Sequence, residues 1–435
     1  MKWSKFIYKA ETKNGIVLFN TTNTAIVSFD RDSFVAVEKA IDSNDVNNDV
    51  VCKLLDMNYI VNDFVDETQD LLKETWDAWE NDDLLKIVLL STTGCNFSCA
   101  YCYENGINRS LILTKEMGIA LLKYVEGVLQ SHTAIKNIYL LLFGGEPTLN
   151  WSTTIEIAKN IMAMCENYKI DFSSGIVTNG YLLDCDHITD LIAIKCDSIQ
   201  VTLDGPKYIH DARRHLRSGA GTFDTIIENM RKALDSGCVH TIDLRINVDT
   251  LNRDSIEELL CYLSKVFASD ELSISFGIIS DTINTDDVKQ QIAKIPDDIL
   301  AEELCSLFEI AEKYGFEAQE FYSFDGICIL KSRYSFALSP DGRIYRCLSM
   351  IGREDLSVCR LQDADPRVDL PSYFNKQMYE TCIAKNCEFL PLCHTGCKFD
   401  AIVEHGTIEK NSCKYEQYCA VNRYLMQRMA QKGDA

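Results

Sequence analysis

Residues 84–102 have the sequence LLKIVLLSTTGCNFSCAYC, an apolar run followed by a loop with three cysteines. The near-continuous apolar run Leu84–Leu90 predicts a strand that is covered on both faces, as in a parallel sheet. Cys95, Cys99 and Cys102 follow it, separated by three and then two residues. Thiolates are the usual ligands of iron–sulfur clusters, and a compact loop can bring three of them to a [4Fe–4S] cubane. Because no fourth cysteine lies nearby in the sequence, one iron would stay open to a ligand.

Strand and helix patterns alternate after this loop. Five more strands are predicted: Ile138–Phe143, Gly175–Thr178, Ser198–Leu203, Asp243–Val248 and Ser273–Ile279. Amphipathic helices are predicted between them, for example over Lys115–Leu129 and Thr154–Asn167. Such alternation implies a parallel sheet with right-handed crossovers. Six units are fewer than the eight of a closed barrel, so we predict an α/β fold with an open, partial (β/α)6 barrel over residues 81–285.

Glycine-rich or polar breaks follow the first four of these strands. They are Thr93-Gly94-Cys95, Gly144-Gly145-Glu146-Pro147, Thr178-Asn179-Gly180 and Asp204-Gly205-Pro206. The carboxyl ends of parallel strands meet at one edge, where such sheets bind their ligands. Glycine lets a backbone approach a ligand closely, and a carboxylate there can accept hydrogen bonds from an ammonium group. The sequence therefore predicts one site beside the cysteine loop.

Residues 1–80 have the pattern of a separate small unit. Short strands are predicted at Phe6–Lys9, Ile16–Phe19, Ala25–Phe29 and Tyr59–Val61, and helices at Asp32–Ile41 and Asp49–Met57. Turn residues separate the strands. Three short strands and helices favour a winged-helix-like domain, and the alternative is an embellishment that packs on the main domain.

Composition excludes some functions and leaves the cysteines to be explained. The chain has 435 residues, a formal net charge of −22 and a pI of about 4.7, so broad binding of nucleic acid is not expected. The run Arg213-Arg214-His215-Leu216-Arg217 is a candidate for a local basic patch. No stretch of 18 apolar residues and no secretory signal is present, so we expect a cytoplasmic protein without a membrane partner. In a reducing compartment, 19 cysteines favour metal ligation or buried free thiols.

The cysteine loop, with an aromatic residue before its last cysteine, resembles the motif of the radical S-adenosylmethionine (SAM) superfamily. The resemblance implies that Cys95, Cys99 and Cys102 hold a [4Fe–4S] cluster whose open iron is chelated by SAM. One electron then cleaves SAM to methionine and a 5′-deoxyadenosyl radical, which abstracts a hydrogen atom from the substrate. The alternatives for these residues are a zinc knuckle or a chance cluster.

The same resemblance implies a set of SAM-binding residues at the strand ends. These are Tyr101, Gly144, Gly145, Glu146, Asn179 and Arg214. Tyr101 would contribute a backbone contact near the adenine, Glu146 would bind the amino group of SAM, and Arg214 would hold its carboxylate. Asp204 is a candidate catalytic base or a SAM-positioning residue, and the sequence does not choose between these roles.

The C-terminal cysteines resemble those of the SPASM domain, an extension that carries one or two auxiliary [4Fe–4S] clusters. The candidate ligands are Cys328, Cys347, Cys382, Cys387, Cys393, Cys397, Cys413 and Cys419. The resemblance implies a first cluster on Cys328, Cys347 and Cys397, and a second on Cys382, Cys387, Cys393 and Cys413. The spacing from Cys382 to Cys387 departs from the family pattern, and Cys419 is an extra candidate. A zinc-binding tail is the alternative. We expect a helical bridge and this domain over residues 286–435.

Only three ligands of the first auxiliary set match the family pattern, so the ligand of its fourth iron is not assigned by the resemblance. Either Cys359 or Cys419 completes it, or its fourth iron is open to a substrate thiolate, which is our hypothesis. The other cysteines have no assigned function, because a buried free cysteine behaves as a small hydrophobe. They are Cys52, Cys165, Cys185, Cys196, Cys238, Cys261 and Cys305.

The N-terminal unit favours a peptide as the substrate. It is similar to the small domain with which many maturases of ribosomally made peptides bind a leader sequence, by adding it as a strand. The resemblance therefore implies a peptide maturase of the sactipeptide or ranthipeptide type, with a precursor peptide and a flavodoxin or ferredoxin as partners. The product would be a cysteine thioether, or else a carbon–carbon cross-link. The rivals are an anaerobic sulfatase-maturating enzyme, whose members usually start near the cysteine motif, and a non-catalytic zinc or iron–sulfur scaffold.

Overall fold

Residues 1–80 contain two small sheets and three helices. The computed structural model of the chain describes residues 1–104, 107, 110–237, 239–280, 293–317, 328–371, 373 and 375–432. The elements of this first unit are β1 (Lys2–Trp3), β2 (Ile7–Glu11), β3 (Ile16–Asn20), β4 (Ile26–Phe29), α1 (Arg31–Asp42), α2 (Asp49–Asp56), β5 (Ile60–Val61) and α3 (Glu67–Glu80). Strands β2, β3 and β4 form an antiparallel sheet, and β1 pairs with β5. The predicted strands and helices are confirmed to within two residues at their ends, whereas β1 and α3 were not predicted.

The central strand of the small sheet packs on two different layers, because successive residues of a strand face opposite sides. Leu18 packs against α1 and α2 and belongs to the core of the N-terminal unit. Phe19 faces the other way and packs with Phe389 and Tyr418 from the C-terminal part of the chain. The hydroxyl of Thr21 adds a hydrogen bond to the carbonyl of Glu388. The N-terminal unit is therefore fixed onto the C-terminal cysteine-rich region.

Six parallel strands and the helices between them follow, as predicted. The strands are β6 (Leu84–Leu90), β7 (Asn137–Phe143), β8 (Asp171–Thr178), β9 (Cys196–Thr202), β10 (Ile242–Val248) and β11 (Leu272–Ile278). The helices are α4 (Lys115–Ser131), α5 (Trp151–Tyr168), α6 (Cys185–Ala193), α7 (Lys207–Arg213), α8 (Phe223–Asp235) and α9 (Ile256–Val266). Their order in the sheet is β11-β10-β9-β8-β7-β6, and every neighbouring pair is parallel. The mixed α/β fold with a central parallel sheet is thus confirmed.

Helix α4 illustrates how local sequence builds the helical layer. The hydroxyl of Thr114 accepts a hydrogen bond from the backbone N–H of Met117, which caps the first turn. Leu121, Val125 and Val128 recur at helical spacing and are buried in the main core. The buried stripe positions α4 against the sheet next to α5.

The sheet does not end at β6, and the sequence did not predict this extension. Strand β12 (Phe336–Leu338) lies parallel to β6, with Ala337 opposite Val88. Strands β13 (Arg343–Tyr345) and β14 (Cys359–Arg360) continue the sheet in antiparallel fashion, giving nine strands in all. Strands of two or three residues carry too little sequence pattern to be recognised. The cysteine-rich region is therefore continuous with the sheet that carries the candidate site.

Helices make up most of the remaining described C-terminal part. They are α10 (Leu300–Lys313), α11 (Lys376–Ala384), α12 (Leu390–Cys393), α13 (Lys398–His405) and α14 (Tyr415–Lys432). Short 3-10 turns lie at Pro147–Asn150, Arg253–Ser255, Leu348–Met350, Glu354–Leu356 and Leu361–Asp363. The predicted helical bridge is represented by α10, and its beginning at 286–292 lies outside the described residues. None of the helices in the described part of the chain is both long and apolar enough to span a membrane.

Candidate active site and cysteine clusters

The cysteine loop lies at the carboxyl end of β6 and is held from two sides. On one side the backbone N–H of Thr93 donates to the carbonyl of Leu111 at 3.0 Å. On the other side the N–H of Ser98 donates to the carbonyl of His215, also at 3.0 Å. The ring of Phe97 is 1% exposed and anchors the loop in the main core. The loop is therefore a fixed part of the sheet edge.

Cys95, Cys99 and Cys102 are all reduced and partly buried in this loop. Burial raises the pKa of the Cys95 thiol to about 11, and the charges of Glu146 and Cys99 raise it further. The N–H of Cys102 closes a tight turn onto the carbonyl of Cys99 at 3.3 Å. The three thiols lie on one short turn and fit ligation of three irons of a cubane.

Glu146 is a fully buried carboxylate that fastens the ends of β7 and β8. Its Oε1 accepts hydrogen bonds from the N–H of Thr148 at 3.1 Å, from the hydroxyl of Thr148 at 2.6 Å and from the hydroxyl of Thr178 at 2.8 Å. Its Oε2 accepts from the N–H of Asn179 at 2.7 Å. A carboxylate has about four lone-pair sites on its two oxygens, so Oε2 keeps capacity for a donor from a ligand.

Gly144 and Gly145 have a structural reason to be glycine in addition to the predicted one. Gly144 has a φ of +146°, and a Cβ there would lie 2.4 Å from the carbonyl oxygen of Thr92. A Cβ on Gly145 would lie 2.3 Å from the carbonyl oxygen of Gly94. The two glycines therefore let this turn pack directly on the cysteine loop, and the close approach to SAM stays a prediction.

Asn179 links the third strand end to the cysteine loop. Its side-chain amide donates to the side-chain oxygen of Asn96 at 2.7 Å and lies 3.9 Å from the sulfur of Cys95. The structure thus brings Cys95, Glu146 and Asn179 together, as the strand-end argument predicted. Asn96 was not singled out in the sequence, and only its place inside the cysteine motif pointed to it.

A second polar group lies inside the barrel around Asp204, which is fully buried. The hydroxyl of Tyr101 donates to Asp204 Oδ2, and Arg214 donates to the Tyr101 oxygen at 2.7 Å. The guanidinium of Arg213 lies 3.6 Å from Asp204 and forms two hydrogen bonds of 3.1 Å to Asp249. Burial raises the pKa of the Tyr101 phenol well above its usual range. Asp204, Tyr101 and Arg214 are therefore parts of one network.

One sequence expectation changes at this network. The arginine run was a candidate for a surface patch, but the side chains of Arg213 and Arg214 point into the barrel and are largely buried. The backbone contact of Tyr101 near the adenine stays a prediction, and the structure adds that its side chain is at the centre of the network. Arg213 and Asp249 were not predicted as site residues, and only the position of Arg213 next to Arg214 signalled them.

The network contains buried polar atoms without a hydrogen-bond partner among the described residues. They are Asp204 Oδ1, Arg213 Nε and Arg214 Nε. Native proteins rarely leave such atoms unpaired, and an unsatisfied group points to a missing ligand or water. Acceptor and donor atoms together suit a ligand with ammonium, carboxylate and hydroxyl groups. The residues present therefore fit SAM.

The C-terminal thiols lie in two neighbourhoods. Burial raises the pKa of the Cys347 thiol to about 12, with smaller contributions from the negative charge of Cys328 and Cys397, which lie within electrostatic reach of it. Four other cysteines line one cavity beneath Phe389 and Tyr418: Cys382, Cys387, Cys393 and Cys413. Cys382 thus lies near the other three in spite of its unusual spacing, and the assignment of both groups as cluster ligands stays a prediction.

Cys359 and Cys419 are the two further candidate ligands. Cys359 is in β14 beside Tyr124 and Asp363. The thiol of Cys419 lies near Tyr8 and Tyr415, and it packs against the same apolar cluster as Cys387 and Cys393. A ligand role for Cys419, and the role of either residue as the fourth ligand of the first set, stay predictions.

The remaining cysteines are scattered over the fold, and Cys238 lies outside the described residues. Within the described ranges, no three Cys, His, Asp or Glu side chains converge on one point as the ligands of a single ion do. The thiolates of a cubane bind separate irons and are spread more widely.

Tyr103 lies near the cysteine loop and near one thiol of the first auxiliary set. Burial raises the pKa of the Tyr103 phenol, and the charges of Glu104, Cys102 and Cys347 raise it further. Cys102 and Cys347, which are far apart in sequence, are therefore both within electrostatic reach of Tyr103.

Comparison with known proteins identifies the barrel. Residues 89–263 match the family model of the radical SAM superfamily. The radical SAM cyclopropyl synthase TigE of Paramaledivibacter caminithermalis is 24% identical over 237 residues, which cover 50% of this chain and 48% of that protein. The cysteine-type anaerobic sulfatase-maturating enzyme of Clostridium perfringens is 22% identical over 344 residues, covering 71% of this chain and 87% of that protein. The match thus spans about half the length of TigE and most of the length of the Clostridium enzyme.

Two solved structures share the fold. The structure of anSMEcpe with bound AdoMet and Cp18Cys peptide has a TM-score of 0.60 and 17% identity, and covers 81% of this chain and 99% of that one. Streptococcus suis SuiB bound to its precursor peptide SuiA has a TM-score of 0.51 and 17% identity, and covers 95% of this chain and 99% of that one. The match to the family model therefore identifies residues 89–263 as a radical SAM domain, and the two solved structures show that the chain around it shares their fold.

Proposed function

We propose that this enzyme is a peptide maturase that abstracts a hydrogen atom from a residue of a precursor peptide and installs a cysteine thioether. The observation that carries the proposal is the three-thiol set of Cys328, Cys347 and Cys397, of which Cys347 lies within electrostatic reach of Tyr103, the residue after Cys102. The sequence pattern matches three ligands to this set, so a cubane on it would keep one iron open. A substrate thiolate bound there would be held next to the site of radical formation.

Different residues at the sheet edge would bind the cluster and SAM. Cys95, Cys99 and Cys102 would ligate one [4Fe–4S] cluster, while Glu146, Asp204 and Arg214 would orient SAM. When bound, this pair of cofactors supplies the radical that takes a hydrogen atom from the substrate. The chain's own part is to fix the geometry and to exclude water, because every one of these side chains is at least partly buried.

The N-terminal unit is the proposed binding site for the leader of the precursor. Its antiparallel sheet β2-β3-β4 has the short strands to which an extended peptide can be added. The likeness to SuiB extends over 95% of the chain and therefore includes this unit, and that structure holds a precursor peptide. We propose a precursor with a leader sequence as the substrate and a flavodoxin or ferredoxin as the electron donor.

Anaerobic reconstitution tests the radical chemistry. The enzyme with dithionite and SAM is expected to form 5′-deoxyadenosine, and the Cys95→Ala/Cys99→Ala/Cys102→Ala variant is expected to form none. Cys185→Ala, which removes an exposed cysteine outside all three sets, is the matched control. Product from the triple variant would refute the assignment of the loop, and absence of product from the wild type would favour a non-catalytic scaffold.

Co-expression with a cysteine-containing precursor encoded beside the gene tests the bond that forms. A thioether removes two hydrogens per cross-link and protects the cysteine from alkylation, so mass spectrometry after iodoacetamide treatment should show the loss without the adduct. A peptide that loses two hydrogens and is still alkylated would carry a carbon–carbon cross-link instead.

Anaerobic sulfatase maturation is the second candidate, since the match to the Clostridium perfringens enzyme covers 71% of this chain. In that case a sulfatase-derived peptide with a target cysteine would gain a formylglycine aldehyde, which a hydrazide reagent captures. Asp204 would then be the candidate base. Hydrazide-reactive product from such a peptide, without cross-linking of a precursor, would decide for this function.

A further inference from the structure

Two lysines lie buried between the two auxiliary thiol sets. Lys331 is 8% exposed and Lys398 is 3% exposed. Burying an ammonium group is costly unless anions or hydrogen-bond acceptors surround it. The positions of these two lysines therefore need an explanation beyond packing.

Lys331 reaches from the first set to the second. It follows Cys328, and its backbone N–H donates to the Cys328 carbonyl at 2.7 Å. Its ammonium group donates to the carbonyl of His394, the residue directly after Cys393. Lys331 thus connects the turn that begins at Cys328 of the first set to the backbone beside Cys393 of the second set.

Lys398 also connects the first thiol set to the second, through different residues. It follows Cys397 of the first set, and its ammonium group lies 3.3 Å from the side-chain oxygen of Asn411 and 3.4 Å from the carbonyl of Lys410. The amide of Asn411 in turn lies 3.4 Å from the sulfur of Cys382. A hydrogen-bonded path therefore runs from Lys398 to the second set.

The electrostatic surroundings agree with this placement. The ammonium group of Lys398 lies within electrostatic reach of Lys331 and of the thiols of Cys382, Cys393 and Cys397. Two adjacent cations in a buried place are stable only if substantial negative charge faces them, and cysteine-ligated iron–sulfur clusters carry it.

We infer that Lys331 and Lys398 form a cationic bridge between the two auxiliary clusters, which holds the two sites together and stabilises the reduced form of each cluster. The inference rests on the proposed function only in that auxiliary clusters occupy the two thiol sets. The reduced cluster carries one more negative charge than the oxidised one. A nearby buried cation therefore makes reduction more favourable and raises the reduction potential. Both lysines act through the clusters and are positioning residues.

Redox titration followed by electron paramagnetic resonance tests the bridge. The full-length chain with Cys95→Ala, Cys99→Ala and Cys102→Ala is the parent, so that only auxiliary clusters contribute signals. Lys331→Met and Lys398→Met, each made in this parent, are expected to shift the auxiliary midpoint potentials to more negative values. Lys331→Arg keeps the charge and should stay close to the parent.

The matched control is Lys385→Met. Lys385 is exposed and also lies near Cys382, so its charge is screened by solvent. Its potential shift is expected to be much smaller than that of either buried lysine. Equal shifts for Lys385→Met and the buried variants would overturn the bridge.

Iron analysis distinguishes the presence of the auxiliary clusters from the effect of the two lysines on their potentials. The parent should hold about eight irons per chain, four for each cubane. A parent without iron would refute the auxiliary clusters and the bridge with them. A parent with iron whose potentials do not move in either lysine variant would refute the bridge alone. If Lys331→Met does not retain iron, the potential of Lys398→Met tests the bridge instead, because the Lys398 side chain contacts the second set through Asn411.

Discussion

At the scale of single residues, Asp204 is the centre of charge compensation inside the barrel. Asp204→Asn removes the carboxylate that faces Arg213 and accepts from Tyr101. Breaking a buried ion pair costs roughly 3–5 kcal/mol. We expect the lower end, about 3 kcal/mol less free energy of unfolding, because Arg213 keeps its two hydrogen bonds to Asp249. Urea denaturation measures this loss.

The same variant distinguishes the two roles that the sequence left open for Asp204. If Asp204 positions SAM, Asp204→Asn weakens SAM binding at least tenfold and reduces 5′-deoxyadenosine formation without peptide. If it is only a base for the substrate, both stay at the wild-type level and only peptide product is lost. Asp224→Asn, which breaks the exposed ion pair with Lys207, is the control and should change neither stability nor binding noticeably.

Glu146 gives a second prediction, because both of its oxygens act as acceptors. In Glu146→Gln the new amide group must face either the hydroxyls and N–H at Oε1 or the N–H of Asn179 at Oε2. Two donors then oppose each other in a buried place, and we expect a loss of about 1–3 kcal/mol. Thermal unfolding of the metal-free chain should show the loss.

A matched variant shows whether the loss of stability in Glu146→Gln depends on the burial of Glu146. Glu156→Gln removes a carboxylate of the same type from an exposed ion pair with Lys115, and it should leave the melting temperature almost unchanged. Equal melting temperatures for Glu146→Gln and the wild type would contradict the hydrogen-bond pattern described for Glu146.

The sequence predicts single residues well where spacing or a strand end fixes their position. Cys95, Glu146 and Asn179 come together because all three follow strands of one parallel sheet. Lys331 and Lys398 could not be found in this way, because their partners His394 and Asn411 depend on how separate loops fold over one another.

At the scale of elements, β3 couples the N-terminal unit to the second auxiliary set. Phe19→Ala removes a fully buried ring next to Phe389, Cys387 and Cys393, and Leu18→Ala removes a buried side chain on the opposite face. Phe→Ala changes in a core typically cost about 3–5 kcal/mol and Leu→Ala about 2–5 kcal/mol. Both variants should therefore unfold more easily than the wild type.

Only one of these two variants should disturb the proposed second cluster. Because Phe19 packs over the loop that carries Cys387 and Cys393, Phe19→Ala is expected to lower the iron content or to speed the bleaching of the cluster absorbance in air. Leu18→Ala should keep the wild-type iron content at temperatures where it is folded. Loss of iron in both, or in neither, would show that β3 does not protect this site.

Helices and strands could be predicted from the sequence where their pattern of apolar residues is strong. The run Leu84–Leu90 was predicted with its observed ends, because it is apolar and bounded by polar residues. Helix α3 was missed since only Thr68 and Leu71 along it are buried, which leaves no apolar stripe. Its capping residue Asp66, which accepts from the N–H groups of Thr68 and Gln69, was the available signal.

At the scale of the whole molecule, the sequence suggested three consecutive units, whereas the structure joins them. The C-terminal region adds β12 to the edge of the barrel sheet at β6, and the N-terminal sheet covers the second thiol set. Both contacts connect residues hundreds of positions apart, as in the hydrogen bond of Tyr8 to the carbonyl of Cys419 at 3.0 Å. Patterns of strand and helix periodicity contain no information on such pairings.

This arrangement predicts that the N-terminal unit cannot be removed as a tethered domain can. A chain that begins at residue 81 would expose Phe389, Leu392, Tyr418 and Met426, which the small sheet covers in the full chain. Because a contiguous apolar patch of this kind promotes association, we expect the truncated chain to aggregate and to hold less iron. The loss should also appear without any peptide, as lower iron content and as earlier elution in size-exclusion chromatography. A monomeric truncated chain with full iron content that has lost only peptide binding would show instead that the unit is a separable recognition domain.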